Sequence, residues 1–520
     1  MKSIGFKGRI LLISALFVCN CLIGLPQVFA QDLSYDTSVK NEGKYLSAMH
    51  KYITSQKLFG YVKELSDSSI YMGRLSGSQG MLNAVNYTKG LFKEWGLQSF
   101  TGAPGFIQEF PQQCVEVQYG SGMEILFKVN DVAKGKNKGS GAGNTEYLSK
   151  SYPWADGWFA GGTSANGDIT ADVVYVGYGV TAPELGYDDY AGIDVKGKII
   201  LVEGETPNTS RNADTLMMWY NHTLHHNKLA NAVKHGAIGM LYKWVPGPNN
   251  GYDPNFVYAF VTERVVNDLF LGTGKNYRET IRSIRKNKKP QSFDMGKKAH
   301  IKMVTKYIPN ATGKNVIGYI KGSDPELCNE YVVISGHLDH LGMIPYHIAG
   351  ANDNCSATAV LMGAAETLAK CGVSPKRSII FINVDGEEAG LTGSTYYTLN
   401  SLVPKEKVKL IINLEQVGIG TNLSISYGYK TPQVVKYFSE ANKLYVHRPF
   451  EAESTKHITR PRTDGAVFMK AGYPTADVGT WGDGRSYYHH PKDDWNTMDG
   501  ETLQDACKLV LWTAILAADE

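Results

Sequence analysis

The chain has 520 residues, of which 43% are hydrophobic and 20% are charged, and its formal net charge is +3. A chain of this length can bury a sizeable core in each of two or more domains. Lys2, Lys7 and Arg9 account for the whole excess of 53 basic over 50 acidic residues, so the rest of the chain is near neutral. Without a basic excess to contact phosphates, nucleic acid and anionic membrane surfaces are not expected as partners.

The first thirty residues have the pattern of a secretory signal peptide. A basic start is followed by the apolar run ILLISALFVCNCLIGL and then by VFA, which ends at Ala30. We therefore predict cleavage after Ala30, a secreted or periplasmic location and no stable membrane association afterwards. One alternative is an N-terminal membrane anchor, although the apolar run is short for a span of about 20 residues. Another is a lipoprotein processed at Cys19 or Cys21, but neither cysteine follows the small residues that such processing favours.

The cysteines do not indicate a disulfide-stabilised fold. Five remain after the predicted cleavage, and they are scattered along the chain: Cys114, Cys328, Cys355, Cys371 and Cys507. This odd number leaves room for one disulfide but not for a disulfide scaffold. The sequence contains no internal repeat and does not indicate an oligomeric state.

The sequence pattern changes from helical to strand-like after about residue 100. Before that point the pattern is helical, as in GSQGMLNAVNYTKGLFKEWGL, where apolar residues recur three and four apart and Gly96 follows the last turn. Beyond it, the short apolar runs ADVVYVGYG, GKIILVEG and AIGMLYKW indicate strands. The stretch AKGKNKGSGAGNTE predicts a flexible insertion, since no strand precedes it and no Lys-Ser/Thr pair follows to make a phosphate-binding loop.

A third pattern begins near Asn315. The apolar runs YVVISG, SIIFINV and KLIINL alternate with helical segments such as SATAVLMGAAETLAK, which is typical of a parallel sheet with crossover helices. We therefore predict an α/β fold with a mostly parallel central sheet flanked by helices. We expect residues 31–105 and 306–520 to form one discontinuous domain, with residues 106–305 inserted as a strand-rich domain.

Candidate metal ligands follow each of these three runs. Ligands of open parallel sheets bind beyond the carboxyl ends of the strands, so these positions matter for function. The candidates are His337 and Asp339 after the first run, Asp385, Glu387 and Glu388 after the second, Glu415 after the third, Asp353 before the helix, and His489 or His490 near the C-terminus. Imidazole and carboxylate ligands together suit zinc, and shared carboxylates suit a two-metal site. Each residue alone could be structural, but together they indicate a metal site.

The motifs HLDHLG, GANDN, GEEAGLTGS, INLEQVG and YYHHPKD resemble the ordered motifs of the co-catalytic zinc exopeptidases related to aminopeptidase Y and bacterial leucyl aminopeptidases. The resemblance covers most of residues 315–495. In the predicted insert, DVVYVGYGVTAPELGYDDYAGIDVKGKIILV followed by NKLANAVKHGAIGMLY resembles a protease-associated domain.

This resemblance implies a role for each candidate. Two zinc ions would be bound, with Asp353 as the bridge, His337 and Glu415 on one side, and Glu388 and His489 on the other. His489 is preferred to His490 because relatives place this ligand two residues before the proline. Glu387 matches the general base, and Asp339 matches the carboxylate that fixes the tautomer of His337.

Three positions depart from the family pattern. Glu415 stands where many relatives have Asp, so its longer side chain could alter the site that it shares with His337. Asn352 replaces a frequent Asp, which should be tolerated because it is not a ligand. Gly465, in TDGAVF, stands where relatives have the His of a Ser-Asp-His segment, so one supporting contact is expected to be missing.

The resemblance implies an aminopeptidase acting on peptides. In such an enzyme, two zinc ions would activate a water molecule, and Glu387 would take the proton of that water and pass it to the leaving amine. Alternatives on the same scaffold are a carboxypeptidase or dipeptidase, with Arg460, Arg462 or Arg485 holding the substrate carboxylate. Glutaminyl cyclisation with a single zinc and a non-catalytic receptor-like relative are further alternatives. The histidines of NHTLHHN, namely His222, His225 and His226, could bind a metal, but a solvated loop is expected there.

Overall fold

The computed structural model describes residues 39–129, 146–210, 212–249, 251–455, 461–482 and 487–520. The predicted signal peptide lies outside the described residues, as do Arg460, Arg485 and all but the last residue of the glycine-rich stretch AKGKNKGSGAGNTE. Among the described helices, none combines the length and the apolar character needed to span a bilayer. The described cysteines are all free thiols, so the one disulfide that the sequence allowed is not formed among them.

The described chain contains eighteen strands and twelve α-helices. The strands are β1 (Ile107–Val117), β2 (Gly122–Lys128), β3 (Tyr147–Ser151), β4 (Trp158–Ala160), β5 (Gly167–Tyr175), β6 (Thr181–Ala182), β7 (Tyr187–Asp188), β8 (Ile199–Glu203), β9 (Gly239–Lys243), β10 (Val257–Val261), β11 (Phe293–Met303), β12 (Thr305–Ile320), β13 (Tyr331–His337), β14 (Ser378–Val384), β15 (Val408–Glu415), β16 (Asn422–Gly428), β17 (Phe450–Thr455) and β18 (Thr475–Trp481). The helices are α1 (Glu42–Tyr52), α2 (Ser55–Leu65), α3 (Gln79–Glu94), α4 (Ala213–Thr223), α5 (His225–Lys234), α6 (Glu263–Phe270), α7 (Tyr277–Asn287), α8 (Ser356–Lys370), α9 (Thr392–Leu399), α10 (Val435–Ala441), α11 (Asp464–Lys470) and α12 (Gly500–Asp519).

The first sheet has eight strands in the order β1-β12-β14-β13-β15-β18-β16-β17. Its central strands β14, β13, β15 and β18 are parallel, and antiparallel pairs lie on both sides of them. Every residue of β14 is buried, as expected for a parallel strand that is covered on both faces. Helix α8 lies over this sheet and packs against α2 and α12. The predicted α/β fold class is confirmed.

The second sheet also has eight strands, in the order β3-β2-β11-β5-β8-β9-β10-β4. These strands lie between residues 122 and 303, a segment called here the second-sheet region. Strand β1, which falls inside the range 106–305 predicted as an insert, pairs with β12 of the first sheet instead. The apolar core of the second-sheet region also includes Leu341, Ile344 and Ile348, which come from the loop after β13.

Arg74 joins the N-terminal helices to this same loop. Its side chain is fully buried. The guanidinium donates to the carbonyl oxygens of Leu338 at 2.8 Å, Leu65 at 2.9 Å, Ala349 at 2.8 Å and Gly350 at 3.1 Å. One side chain therefore satisfies four buried backbone acceptors around the segment that leads to Asp353.

We expect Arg74→Met to destabilise the fold by at least about 3 kcal/mol, because a buried carbonyl left without a donor costs about 1–3 kcal/mol. The change should appear as a lower urea midpoint in equilibrium unfolding. Arg278→Met is the matched control, since Arg278 is 71% exposed and pairs with Glu263 at the surface. That control should change stability by less than about 1 kcal/mol. Equal midpoints for the two variants would contradict the role given to Arg74.

Candidate metal centre

The first part of the centre is built by the carboxyl ends of three adjacent parallel strands. His337 is the last residue of β13 and Glu415 is the last residue of β15. Glu387 and Glu388 follow β14 after a short turn. Because these strands lie side by side and run in one direction, their carboxyl ends meet at one edge of the sheet.

Asp353 lies at the middle of the cluster. Its Oδ1 is 3.3 Å from His337 Nε2, and its Oδ2 is 3.4 Å from His489 Nε2. Glu415 Oε2 is 3.5 Å from His337 Nε2, while Glu388 Oε1 is 3.0 Å from His489 Nε2. The five predicted ligands therefore form two groups that share Asp353. A carboxylate whose two oxygens face different ligand groups has the arrangement that a metal bridge requires.

The hydrogen bonds of the two histidines fix their tautomers. His337 Nδ1 is 3.1 Å from the carbonyl oxygen of Asp339, and His489 Nδ1 is 2.5 Å from the carbonyl oxygen of Pro246. A carbonyl can only accept, so each Nδ1 carries the proton. In the neutral ring, each Nε2 then presents its lone pair to the cluster, as a ligand of a metal ion must.

The Asp339 carboxylate has a different position from the one expected. Its Oδ1 is 3.7 Å from His337 Nδ1, farther than its own carbonyl oxygen. The carboxylate instead accepts the backbone N–H groups of Glu387, at 3.1 Å, and Glu388, at 3.2 Å. Asp339 thus orients His337 through its main chain, and its side chain holds the turn that carries both glutamates.

The donor set fits a metal cation. Asp353 Oδ2 and His489 Nε2 are buried and form no hydrogen bond of good geometry, and His340 Nε2 has no partner either. Buried polar atoms without partners are rare in proteins, and two of these, Asp353 Oδ2 and His489 Nε2, lie 3.4 Å apart. Ligand atoms of His340, Asp353, Glu388 and His489 all lie within 4.8 Å of one another. Imidazole nitrogens and carboxylate oxygens are the ligands that zinc prefers in such sites.

His340 also belongs to this cluster, in addition to the five predicted ligands. Its Nδ1 is 2.9 Å from Glu388 Oε1, and its ring lies edge-on to that of His489 with the centroids 5.6 Å apart. It can bind a metal or orient Glu388. By contrast, His490 lies outside the cluster and accepts the backbone N–H of Lys492 at 3.1 Å.

Glu387 and Glu388 differ in their environments. Burial raises the pKa of Glu387 well above its usual range; the His337 imidazole opposes this shift and the carboxylate of Glu388 adds to it. Burial acts in the same sense on Glu388, but His489 and His340 together outweigh it and hold the pKa of that carboxyl at about 2. Neighbouring carboxyls with opposite shifts are typical of a pair that divides proton transfer and charge stabilisation between its members.

A chain of hydrogen bonds positions Glu415. Asn413 Nδ2 donates to Glu415 Oε1 at 3.1 Å and to Asp477 Oδ1 at 2.9 Å. Asp477 also accepts from the Thr463 hydroxyl at 2.8 Å. A Cβ at Gly465 would lie 1.7 Å from Asp477 Oδ1, so any larger residue would displace this carboxylate. Gly465 therefore makes room for Asp477 at the position where the family pattern has a histidine.

Asp493 holds the segment that carries Asp353. Its two carboxylate oxygens accept the backbone N–H groups of Asn352 at 2.9 Å and Asp353 at 3.0 Å. Asn352 in turn accepts the N–H of Gly418 at 2.9 Å. The Asn352 side chain thus links this segment to the loop after β15 and takes no part in the cluster.

Tyr488 covers one face of His489. The two rings stack with centroids 3.7 Å apart and planes 21° apart. Tyr488 is itself 46% exposed, so it forms part of the protein surface beside His489.

The other candidate residues do not converge on the cluster. Arg462 is paired with Glu205 at 2.6 Å. His222 pairs with Glu184 at 2.7 Å, and His225 Nδ1 is 2.5 Å from the Tyr242 hydroxyl. Within the described ranges, the histidines of NHTLHHN form no group able to hold a metal.

Zinc affinity is expected to rise with pH. Burial opposes the charged form of His489, but Glu388 and Asp353 outweigh it and raise the pKa of the imidazole to about 10 in the protein without zinc. Zinc must therefore displace a proton at neutral pH. This competition weakens as the pH rises, by about tenfold in the apparent dissociation constant per pH unit for each proton released. Calorimetric titration in buffers of different ionisation enthalpy measures the protons, and zinc binding without proton release would contradict the assignment.

The known proteins that this chain matches include peptidases and zinc metalloproteases, in agreement with the predicted enzyme class. Residues 315–514 match the family model of Peptidase family M28. The solved structure of an aminopeptidase from Aneurinibacillus sp. covers 91% of this chain and 95% of that one, with a TM-score of 0.59 and 21% sequence identity. At this level of identity the likeness shows the fold.

Two relatives are similar in sequence over part of the chain. A probable zinc metalloprotease from Pyrenophora teres f. teres is 33% identical over 162 residues, which are 30% of this chain and 31% of that protein. A probable glutamate carboxypeptidase from Zea mays is 28% identical over 206 residues, which are 36% of this chain and 27% of that protein. The chain thus spans about a third of the length of these relatives, and they do not define which end of a peptide it attacks.

Proposed function

We propose that this protein is a secreted or periplasmic aminopeptidase that removes N-terminal residues from peptides with a water activated by two zinc ions. The observation that carries the proposal is the division of the cluster around Asp353. One oxygen of its carboxylate faces His337 at 3.3 Å and the other faces His489 at 3.4 Å. A single shared carboxylate between two ligand groups favours two ions over one.

The chain supplies ligands for both ions. His337 and Glu415 would hold one, Glu388 and His489 would hold the other with His340 beside them, and Asp353 would bridge. When bound, the zinc ions lower the pKa of a water and polarise the scissile carbonyl. Asp339 and Asp493 hold the backbone of the segments that carry these ligands.

Glu387 is proposed as the general base. It is more accessible than Glu388, and among the described contacts it is Glu388 and Glu415, not Glu387, that meet the two histidine ligands. Its backbone N–H is bound by Asp339 at 3.1 Å, which fixes the turn but leaves the carboxylate free to move a proton. It would take the proton of the water and pass it to the leaving amine, a step that suits a carboxylate of raised pKa.

The ion pair of Arg462 supports the aminopeptidase over the carboxypeptidase. A carboxypeptidase anchors the substrate carboxylate with a cationic side chain. Arg462 is the one of the three predicted anchors that lies among the described residues, and its charge is compensated by Glu205 at 2.6 Å. The sequence likeness to a probable glutamate carboxypeptidase keeps that activity as the second candidate.

A peptide panel read by mass spectrometry tests the proposal. Peptides with a free N-terminus should lose residues from that end, N-acetylated peptides should stay intact, and C-terminal amidation should have no effect. Addition of a chelator should stop the reaction. Cleavage of N-acetylated peptides from the C-terminal end would establish the carboxypeptidase instead. Loss of ammonia from N-terminal glutamine without chain cleavage would indicate the cyclase, and intact peptides throughout would indicate a non-catalytic relative.

A further inference from the structure

The second-sheet region contacts the metal cluster through the loop at residues 244–249, which follows β9. The carbonyl oxygen of Pro246 in this loop accepts the Nδ1 proton of His489 at 2.5 Å. His489 is buried, and its φ of 54° lies in the left-handed region that residues other than glycine rarely adopt. Such a conformation persists where the surrounding structure holds it, and Pro246 is part of that surrounding structure.

A second contact holds the segment between His340 and Asp353. Leu341, Ile344 and Ile348 from this segment are at most 2% exposed and belong to the apolar core of the second-sheet region. Trp154, also from that region, donates its indole N–H to the Ile344 carbonyl oxygen at 2.6 Å. The second-sheet region therefore supports two of the chain segments that bring ligands to this side of the cluster, the one that carries His489 and the one that leads from His340 to Asp353.

We propose that the second-sheet region completes the metal centre, with Pro246 as a positioning residue for His489. The inference rests on the proposed two-zinc function and adds that the ion held by Glu388 and His489 depends on the loop at residues 244–249. A backbone acceptor on the far nitrogen of a ligating imidazole fixes the ring and its tautomer. Loss of such a partner costs about 10–100-fold in metal affinity. The second-sheet region thus contributes directly to the zinc site.

Gly162→Ala displaces this loop without changing any ligand. A Cβ at Gly162 would lie 2.8 Å from the Gly247 carbonyl oxygen and 3.1 Å from Pro248 Cα, both of them backbone atoms, so the loop must shift. We expect the affinity for one of the two zinc ions to fall about 10–100-fold and the affinity for the other to stay unchanged. Competition with a chromophoric chelator, followed by metal analysis of the full chain, measures both affinities.

Two controls separate positioning from general destabilisation. Gly122→Ala adds a methyl group in the same region with no atom within 4 Å, and it should bind zinc like the parent. Val265→Ala removes buried volume from α6. It should lower the melting temperature while both zinc affinities stay at the parental values. Pro246→Gly is the second test variant. It keeps the carbonyl group but makes the backbone at this position more flexible. The affinity for the same zinc ion should fall, by less than in Gly162→Ala.

The outcomes distinguish this inference from the proposed function. A parent that binds two zinc ions, with Gly162→Ala and Pro246→Gly binding both equally well, would overturn the inference alone. Equal loss of zinc in Val265→Ala would also overturn it, because the effect would then be one of stability. A parent that binds no zinc would overturn the proposed function and this inference with it.

Discussion

Replacing Glu387 with Gln is expected to lower kcat for hydrolysis of aminoacyl reporter substrates by about 10²–10⁴-fold, the usual contribution of a general base. The amide has the shape of the carboxylate but cannot accept the proton of the water. Zinc content should stay at the parental value, because the carboxylates in contact with the proposed histidine ligands are those of Asp353, Glu388 and Glu415 and not that of Glu387. Steady-state kinetics and metal analysis on the same preparation measure both quantities.

Glu388→Gln is the matched control, since it makes the same chemical change one residue later. Glu388 Oε1 lies 3.0 Å from His489 Nε2, so this variant should lose zinc as well as activity. If Glu387→Gln kept both its zinc and its full rate, the base would have to be another residue. If it lost zinc while Glu388→Gln retained it, the roles of the two glutamates would be exchanged.

Asp353→Ala is expected to lower the binding affinity for both zinc ions. Both histidine groups meet at this carboxylate, so its removal takes one ligand from each ion. A ligand present at a thousand times its dissociation constant stabilises the folded state by about 4.1 kcal/mol. Parent protein should therefore unfold at a markedly higher temperature when zinc is added, and Asp353→Ala should show little or none of this increase.

The control for this experiment is Asp294→Ala, which removes a carboxylate that is 54% exposed in β11. Its zinc-dependent rise in melting temperature should equal that of the parent. A rise of parental size in Asp353→Ala would mean that zinc binds elsewhere or without a bridge. Scanning calorimetry at fixed free zinc, with metal analysis of each sample, gives the comparison.

The sequence predicted the central sheet closely because its signals are strong and local. The run SIIFINV coincides with β14, and SATAVLMGAAETLAK coincides with α8. Parallel strands buried on both faces appear as uninterrupted apolar runs, and a polar residue marks the point where each run leaves the core. The metal cluster lies at these strand ends, so His337, Glu387 and Glu415 could be predicted from the sequence.

What the sequence did not predict depends on contacts between distant parts of the chain. Pro246 meets His489 across 243 positions, and no local pattern identifies a backbone carbonyl as an acceptor. The reason for a glycine at position 465 is that Asp477 fills the space where its side chain would lie, and this contact exists only in the folded structure. The pairing of β1 with β12 was likewise not predictable, because the alternation in β1 does not reveal which sheet it joins.

His340 is the residue that a closer reading of the sequence could have found. The motif HLDHLG contains two histidines three residues apart, and only the first was selected because it follows the strand directly. The turn after β13 brings the second histidine back to Glu388 at 2.9 Å. Whether a residue just past a strand end faces the site depends on that turn, which spacing alone does not determine.

The most direct test of the central claim is a crystal structure of the zinc-loaded protein with data collected on both sides of the zinc absorption edge. We expect two anomalous peaks that flank Asp353, one beside His337 and Glu415 and the other beside Glu388 and His489. A single peak, or peaks away from Asp353, would contradict the two-zinc site that the proposed function requires.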